Sequence, residues 1–239
     1  MGGLPCGTPA AERGGPARAA APACRPERRL CVAGAIGQTP SPTAAGIHTA
    51  MNRAHRWLCR SRFWRDALTE AILPWALDGI DVGKTPLEVG PGPGLTTDAL
   101  RHRSERLTAV EIDHQLAAAL ARRLAGTNVT VIEGDATRMP FANGSFSGAV
   151  SFTMLHHVPS AELQDRLLRE VCRVLRPGAV FAGTDSTWSV PLRLLHVFDT
   201  MVLVDPASFG GRLEAAGFTD VAVRVGRGAF RFRARRPPS

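Results

Sequence analysis

The stretch Leu87-Glu88-Val89-Gly90-Pro91-Gly92-Pro93-Gly94-Leu95-Thr96-Thr97 constrains the fold of this chain more than any other. Leu87 and Val89 read as a buried strand, and Glu88 puts a carboxylate at its end. Three glycines at alternate positions let the backbone turn sharply and approach another group closely, because they carry no β-carbon. A helix from about Leu95 to Arg103 follows and offers unpaired N–H groups at its start. A strand, a glycine turn and a helix in that order belong to a layered α/β architecture.

The rest of the chain alternates in the same way. Strands are expected at 86–90, 106–112, 128–133, 147–152, 178–185, 220–225 and 229–234. Helices are expected at 95–103, 114–125, 161–175 and 206–216. Short connections between them call for a mostly parallel sheet with helices on both faces. The last two strands flank Gly226-Arg227-Gly228 and read as an antiparallel hairpin. Pro177-Gly178 is expected to stop the long helix and start the next strand.

Ahead of the sheet, residues 1–46 are rich in Ala, Pro, Gly and Arg without apolar periodicity, so they are expected to be a disordered extension. Arginine-rich and poor in acids, it faintly resembles an organelle transit peptide, but an upstream extension of a chain that naturally starts at Met51 accounts for it better. Residues 47–83 form an N-terminal helical segment, with the pattern helical from Asn52 to Leu77 and Pro74 kinking or ending the helix. Its aromatic residues, Trp57, Phe63, Trp64 and Trp75, are expected to pack in the core, and the helix to wall a pocket on the substrate side. Residues 84–236 make the main domain.

The net charge of +8 suggests nucleic acid or a membrane surface as partner, but its distribution weakens that reading. Residues 86–220 carry 12 basic and 15 acidic side chains, while residues 221–239 carry six arginines and no acid. No run of 18 apolar residues exists to span a membrane. Cys6, Cys24, Cys31, Cys59 and Cys172 show neither Cys-x-x-Cys pairing nor metal-ligand spacing, so they read as free thiols in a reducing, cytoplasmic setting without a metal site.

Two further acids stand at strand ends. Glu111 ends the second strand, 17 residues beyond Gly94, where a carboxylate can accept hydrogen bonds from both ribose hydroxyls of a nucleoside cofactor. The alternative is an exposed acid leading into a helix capped by Asp113. Ile112 would then lie flat against an adenine. Asp135 ends the third strand, where it can accept an adenine amino group while the Ala136 N–H donates to a ring nitrogen; the alternative is a turn aspartate beside Gly134. A Gly-x-Gly-x-Gly spacing, in place of Gly-x-Gly-x-x-Gly, argues against a nicotinamide enzyme.

Taken in order, five segments resemble the class I S-adenosylmethionine-dependent methyltransferases. They are Glu88–Gly94, Val110–Asp113, Glu133–Ala136, Phe146–Ser151 with Leu155-His156-His157-Val158, and Glu170–Ala179. The resemblance covers about residues 84–186 by motif, continues to about 235 by element order, and is similar to the type 11-like branch that acts on small molecules. It implies a Rossmann-like methyltransferase fold, a seven-stranded sheet in the order 3-2-1-4-5-7-6. It also implies S-adenosyl-L-methionine as cofactor. Glu88, Gly90, Gly92 and Gly94 would hold the methionyl end, with Ser151 near it; Glu111 would hold the ribose; and Ile112, Asp135 and Ala136 the adenine.

The first half also looks like the ribosomal RNA adenine dimethyltransferases, through Leu87–Gly94 and Val110–Asp113. Those enzymes carry Asn-x-Pro-Tyr/Phe after the fourth strand, a platform for a flipped base. This chain has Ser151-Phe152-Thr153-Met154-Leu155-His156-His157 there, and no tyrosine anywhere. The expectation is therefore methyl transfer to an O, N or C atom of a small, apolar molecule. An RNA methyltransferase using Arg231, Arg233, Arg235 and Arg236, or a non-catalytic methyltransferase-like binding protein, are the alternatives. His156 or His157 can take a proton from the acceptor, or simply pack and cap a turn. Trp188–Val204, apolar but for Arg193 and His196, reads as a lid over the substrate or as an ordinary core helix.

Overall fold

In a computed structural model, which describes residues 57–58, 61–189, 193–194, 197 and 201–238, seven strands form one sheet. They are β1 (Leu87–Val89), β2 (Leu107–Glu111), β3 (Val129–Glu133), β4 (Phe146–Phe152), β5 (Leu175–Ser186), β6 (Thr219–Val225) and β7 (Ala229–Arg235). Their order is β3-β2-β1-β4-β5-β7-β6. The first five run parallel, and β7 lies antiparallel between β5 and β6. The expected extension at 1–46, the start of the N-terminal helix and most of the 190–200 stretch lie outside the described residues.

Helices cover both faces. Asp113 caps α4 (His114–Arg123), accepting from the N–H groups of Gln115 and Leu116, and Ser160 caps α5 (Ala161–Val174) through the Leu163 N–H. Leu167, Leu168, Val171 and Val174 of α5 recur at helical spacing and are buried together. With α6 (Pro206–Ala215) they pack on one face of the sheet against Val89, Val110, Phe181, Phe230 and Phe232. Phe209 of α6 meets Phe232 edge-on at 5.1 Å, and Phe181 meets Phe232 at 4.9 Å. Each such fully buried ring contributes about 1.5–3 kcal/mol, so these contacts fix the antiparallel hairpin onto the parallel strands.

The other face is covered by α2 (Leu73–Ala76) and α3 (Leu95–Leu100), preceded by α1 (Arg62–Asp66), which buries no side chain. Leu73, Ala76 and Leu100 pack there against Leu107, Val150 and Val180. A π-helical turn, Ala67–Ile72, joins α1 to α2 in one continuous helical run, and Pro74, which has no N–H to donate, sits just past the π-helical turn. The helix ends two residues later at Ala76. Among the described residues of this segment, Leu68, Leu73, Ala76 and Leu77 are buried, so the expected aromatic packing is corrected: Trp57 is 74% and Phe63 75% exposed. Trp75 is half-buried against the hairpin, where Arg231 donates to its carbonyl and stacks 5.5 Å above its ring.

A second correction concerns Pro177-Gly178. The helix ends at Val174, and β5 begins immediately at Leu175, with Pro177-Gly178 inside it as an irregularity. Leu175 pairs with Phe146, and pairing resumes only at Val180 with Gly148, so the extra residues bulge out with Gly178 at φ +76°. Arg173 secures this region. Its guanidinium holds both oxygens of Glu170 and donates to the carbonyls of Met139 and Phe141, and Glu170 also accepts from the Met139 N–H at 2.8 Å. The loop that enters β4 is thereby bound to α5.

Candidate cofactor site at the strand tips

The parallel strands end together at one edge of the sheet, and their tips remain linked beyond the strands. The Gly90 N–H donates to the Val110 carbonyl, the Gly134 N–H to that of Glu111 and the Thr153 N–H to that of Thr184, each at 2.9 Å. Ligands of open α/β sheets bind in this position.

The glycine turn leaves β1 with Gly90, Gly92 and Gly94 at φ +68°, +56° and +85°. A β-carbon on Gly90 would lie 2.1 Å from Met154 Cγ, and one on Gly94 would lie 2.3 Å from Leu120 Cδ1. A β-carbon on Gly92 would meet nothing within 4 Å. The outer glycines thus permit close packing, while the middle one faces open space. The Gly94 N–H donates to the Pro91 carbonyl at 2.9 Å and closes the turn.

Glu88 lies within β1 between Ala109 and Val150, where the sequence reading placed it at the strand's end. It is buried, the Thr96 hydroxyl donates to Oε1, and Oε2 has no hydrogen-bond partner. Burial pushes its carboxyl up to about 7, against the opposing pull of the threonine hydroxyls. Glu111, at the tip of β2, accepts the Gly92 N–H on Oε2 and the Asp113 N–H on Oε1, each at 2.9 Å. It therefore stitches the glycine turn to the start of α4. Burial raises its pKa and these N–H groups oppose the rise. Ile112, the next residue, is 46% exposed.

Asp135 is exposed and accepts the Thr137 N–H at 2.8 Å, so it caps the turn after β3, while Ala136 is partly buried against the core. Ser151 is fully buried at the end of β4, level with Val89 and Gly183, and its hydroxyl has no partner. Thr153 follows at φ +50°, a conformation that costs a non-glycine residue about 1–2 kcal/mol and concentrates at functional sites.

Of the two histidines after β4, His156 is buried and bonded through Nδ1 to Asp185, itself fully buried near the end of β5. His157 is less buried, its ring 4.3 Å from that of His156. The Gln164 amide donates to the carbonyls of Leu155 and Val202, and the Val202 N–H to that of His156, so the chain returning from the Trp188–Val204 stretch is tied to this turn. Among the described residues, no group of three His, Cys, Asp or Glu side chains is placed to hold a metal ion, and no helix is long and apolar enough to cross a membrane.

Residues 87–183 match the family model described as a methyltransferase domain. The solved PH0226 protein from Pyrococcus horikoshii OT3 shares the fold with a TM-score of 0.64 at 16% identity, over 74% of this chain and 93% of that one. Residues 87–183 thus resemble a domain of the class I S-adenosylmethionine-dependent methyltransferases, carried on a Rossmann-like methyltransferase fold. The cofactor of that family is S-adenosylmethionine. Haemonchus contortus phosphoethanolamine N-methyltransferase 2, solved in complex with S-adenosyl-L-methionine, shares the methyltransferase fold with a TM-score of 0.61 at 17% identity, over 77% of this chain and 56% of that one. In sequence, the chain is 33% identical over 168 residues to the Bordetella pertussis protein named ribosomal RNA small subunit methyltransferase A, over 63% of this chain and 62% of that one. It is 34% identical over 110 residues to an uncharacterized methyltransferase of Mycobacterium sp. strain KMS, over 46% of this chain and 41% of that one. The chain spans less than two thirds of the length of these curated relatives.

Asp185 and Arg123, which the sequence reading passed over, both act at this site through contacts distant in sequence. Asp185 meets a histidine 29 positions away, and Arg123 reaches the glycine turn from the end of α4. Thr96, whose hydroxyl donates to Glu88, was passed over too; its place just past the turn, eight residues after Glu88, is the signal that could have found it.

Proposed function

We propose that this protein transfers a methyl group from S-adenosylmethionine to a small, apolar acceptor molecule. The carrying observation is the convergence of Glu88, Glu111 and Ser151 around a glycine turn whose middle residue opens to space, with a buried oxygen of Glu88 and of Ser151 left without partners. Buried polar atoms in that condition fit a polar ligand, since leaving them unsatisfied is costly.

When bound, the cofactor supplies a methyl group already activated by a sulfonium sulfur. Glu88, the 90–94 turn and Ser151 would hold its methionyl end. Glu111, its oxygens fixed by two N–H groups, keeps acceptor capacity for the ribose hydroxyls, and Ile112, Asp135 and Ala136 would flank the adenine. The protein's task is alignment of the acceptor and exclusion of water. An acceptor that ionises easily needs no base, and His157, the less buried of the two histidines, is the one that can meet a bound molecule.

A second reading, transfer to RNA, is favoured by the relatives named ribosomal RNA small subunit methyltransferase A. Against it, three of the four hairpin arginines are engaged inside the protein. Arg231 donates to the Trp75 carbonyl, Arg235 to that of Gly178 and Arg236 to that of Arg173. Of the four, Arg233 alone stands exposed without a hydrogen bond into the protein.

Calorimetry with S-adenosylhomocysteine, followed by incubation of cell extract with methyl-labelled cofactor and mass identification of the product, tests both readings. Saturable binding, weakened at least tenfold by Glu111→Ala and by Gly92→Val, together with a labelled small molecule, is expected. Label in RNA supports the second reading. Binding without any labelled product identifies a binding protein, and absence of binding overturns the assignment.

A further inference from the structure

At the base of the glycine turn one guanidinium joins three elements. Arg123, the last residue of α4, donates from Nη1 to both oxygens of Asp98 at 2.7 Å. From Nη2 it donates to the carbonyls of Pro93 and Gly94, at 3.1 and 3.3 Å. The same Gly94 carbonyl accepts the Asp98 N–H at 3.1 Å, the first helical bond of α3. Turn, α3 and α4 thus close into a ring of hydrogen bonds through Arg123. The space a side chain on Gly94 would need is filled from α4, since its β-carbon would lie 2.6 Å from Arg123 Nη2.

Resting on the functional reading above, we propose that Arg123 is a positioning residue for the cofactor, holding the Gly90–Gly94 turn in its ligand-ready shape. Two observations separate this role from general stabilisation. The Arg123 and Asp98 side chains are 43% and 40% exposed, and an ion pair that open to water contributes little to folding. Beside them lies a cleft of about 310 Å³ bordered by Arg65, Leu95 and Leu116, so trimming Arg123 opens no new void in the core. What the planar fork supplies is direction: it spans a carboxylate and two carbonyls at once, which a lysine ammonium does not. A turn left loose must be ordered when the ligand binds, and that ordering lowers affinity.

The test is calorimetric titration of S-adenosylhomocysteine into wild type, R123M, R123K and D98N, with thermal midpoints and amide hydrogen exchange of the ligand-free proteins. R123M is expected to bind roughly tenfold more weakly. Its midpoint should stay within about 3 °C of wild type, and its exchange should rise only across residues 90–96. R123K should recover part of the affinity, and D98N should fall between. A merely structural role would lower the midpoint and the number of binding-competent molecules, while leaving the affinity of the folded ones unchanged. R123M binding as tightly as wild type, or exchange rising throughout the sheet, overturns the positioning role alone. Wild-type protein that gives no heat with S-adenosylhomocysteine overturns the functional reading and this role with it.

Discussion

Asp185 accepts the backbone N–H of His156 on Oδ2 at 3.2 Å and bonds the Nδ1 of the same residue through Oδ1. The Ser186 N–H completes the set at 2.6 Å, and neither side chain reaches water, with 2% and 0% exposure. The carboxylate near the end of β5 thereby fixes the turn that follows β4.

Removing one partner from such a pair strands the other. Asp185→Ala is expected to destabilise the fold by about 3 kcal/mol. A double-mutant cycle with His156→Ala should give a coupling above about 1 kcal/mol. Urea unfolding of the four proteins measures both, and additive losses would show that the pair does not act as a unit.

Glu88 gives stability a definite pH dependence. Its carboxyl titrates near 7 when folded and near the ordinary 4.5 when unfolded. Between those values the native state keeps a proton that the unfolded chain has lost, so stability falls as pH rises. Across the whole window the effect is about 3 kcal/mol, and Glu111, also raised by burial, adds in the same direction. Glu170 and Glu162 are held below the ordinary range and titrate beneath this window. Unfolding free energies should drop from pH 5 to pH 8 in the wild type and much less in Glu88→Gln; an equal slope in both proteins would falsify this account.

The glycines of the turn should separate folding from binding. Gly94→Ala drives a methyl into Leu120 and is expected to cost about 2–4 kcal/mol. Gly92→Ala meets no neighbour, pays only the left-handed backbone cost of about 1 kcal/mol, and projects its methyl into the open side of the turn. Denaturation should therefore report Gly94→Ala, and S-adenosylhomocysteine titration should report Gly92→Ala.

Arg231 links the hairpin to α2. Arg231→Ala loses the bond to the Trp75 carbonyl and the stacking on its ring, a destabilisation of about 1–3 kcal/mol. Joint neutralisation of the exposed Arg224, Arg227 and Arg233 should leave the midpoint near that of wild type. If RNA retention on filters fell with those three and with rising salt, the RNA reading would gain at the expense of the small-molecule one.

The parallel strands were legible because each carries its own punctuation, the glycines after Val89, Asp113 after Glu111 and Gly134 after Glu133, while their order in the sheet followed only from the family resemblance. Glu111 was found from its distance to the turn, but its partners, the Gly92 and Asp113 N–H groups, depend on the turn's shape and leave no periodic trace. The π-helical turn at Ala67–Ile72 escaped because its residues read as ordinary helix formers. Pro177-Gly178 misled because the pair marks helix ends by composition, whereas here the strand absorbs it as a bulge opposite Phe146 and Gly148. Arg123 and Asp185 act across 25 and 29 residues, distances at which a single chain offers no pattern to read.

The last strand to be made, β7, occupies an inner place between β5 and β6. During synthesis β6 emerges with no neighbour to join and waits for the segment that follows it. A stop codon just after Val225 would therefore deprive the sheet of two strands at once, leaving β5 bare and its ribbon of phenylalanine contacts without a lid.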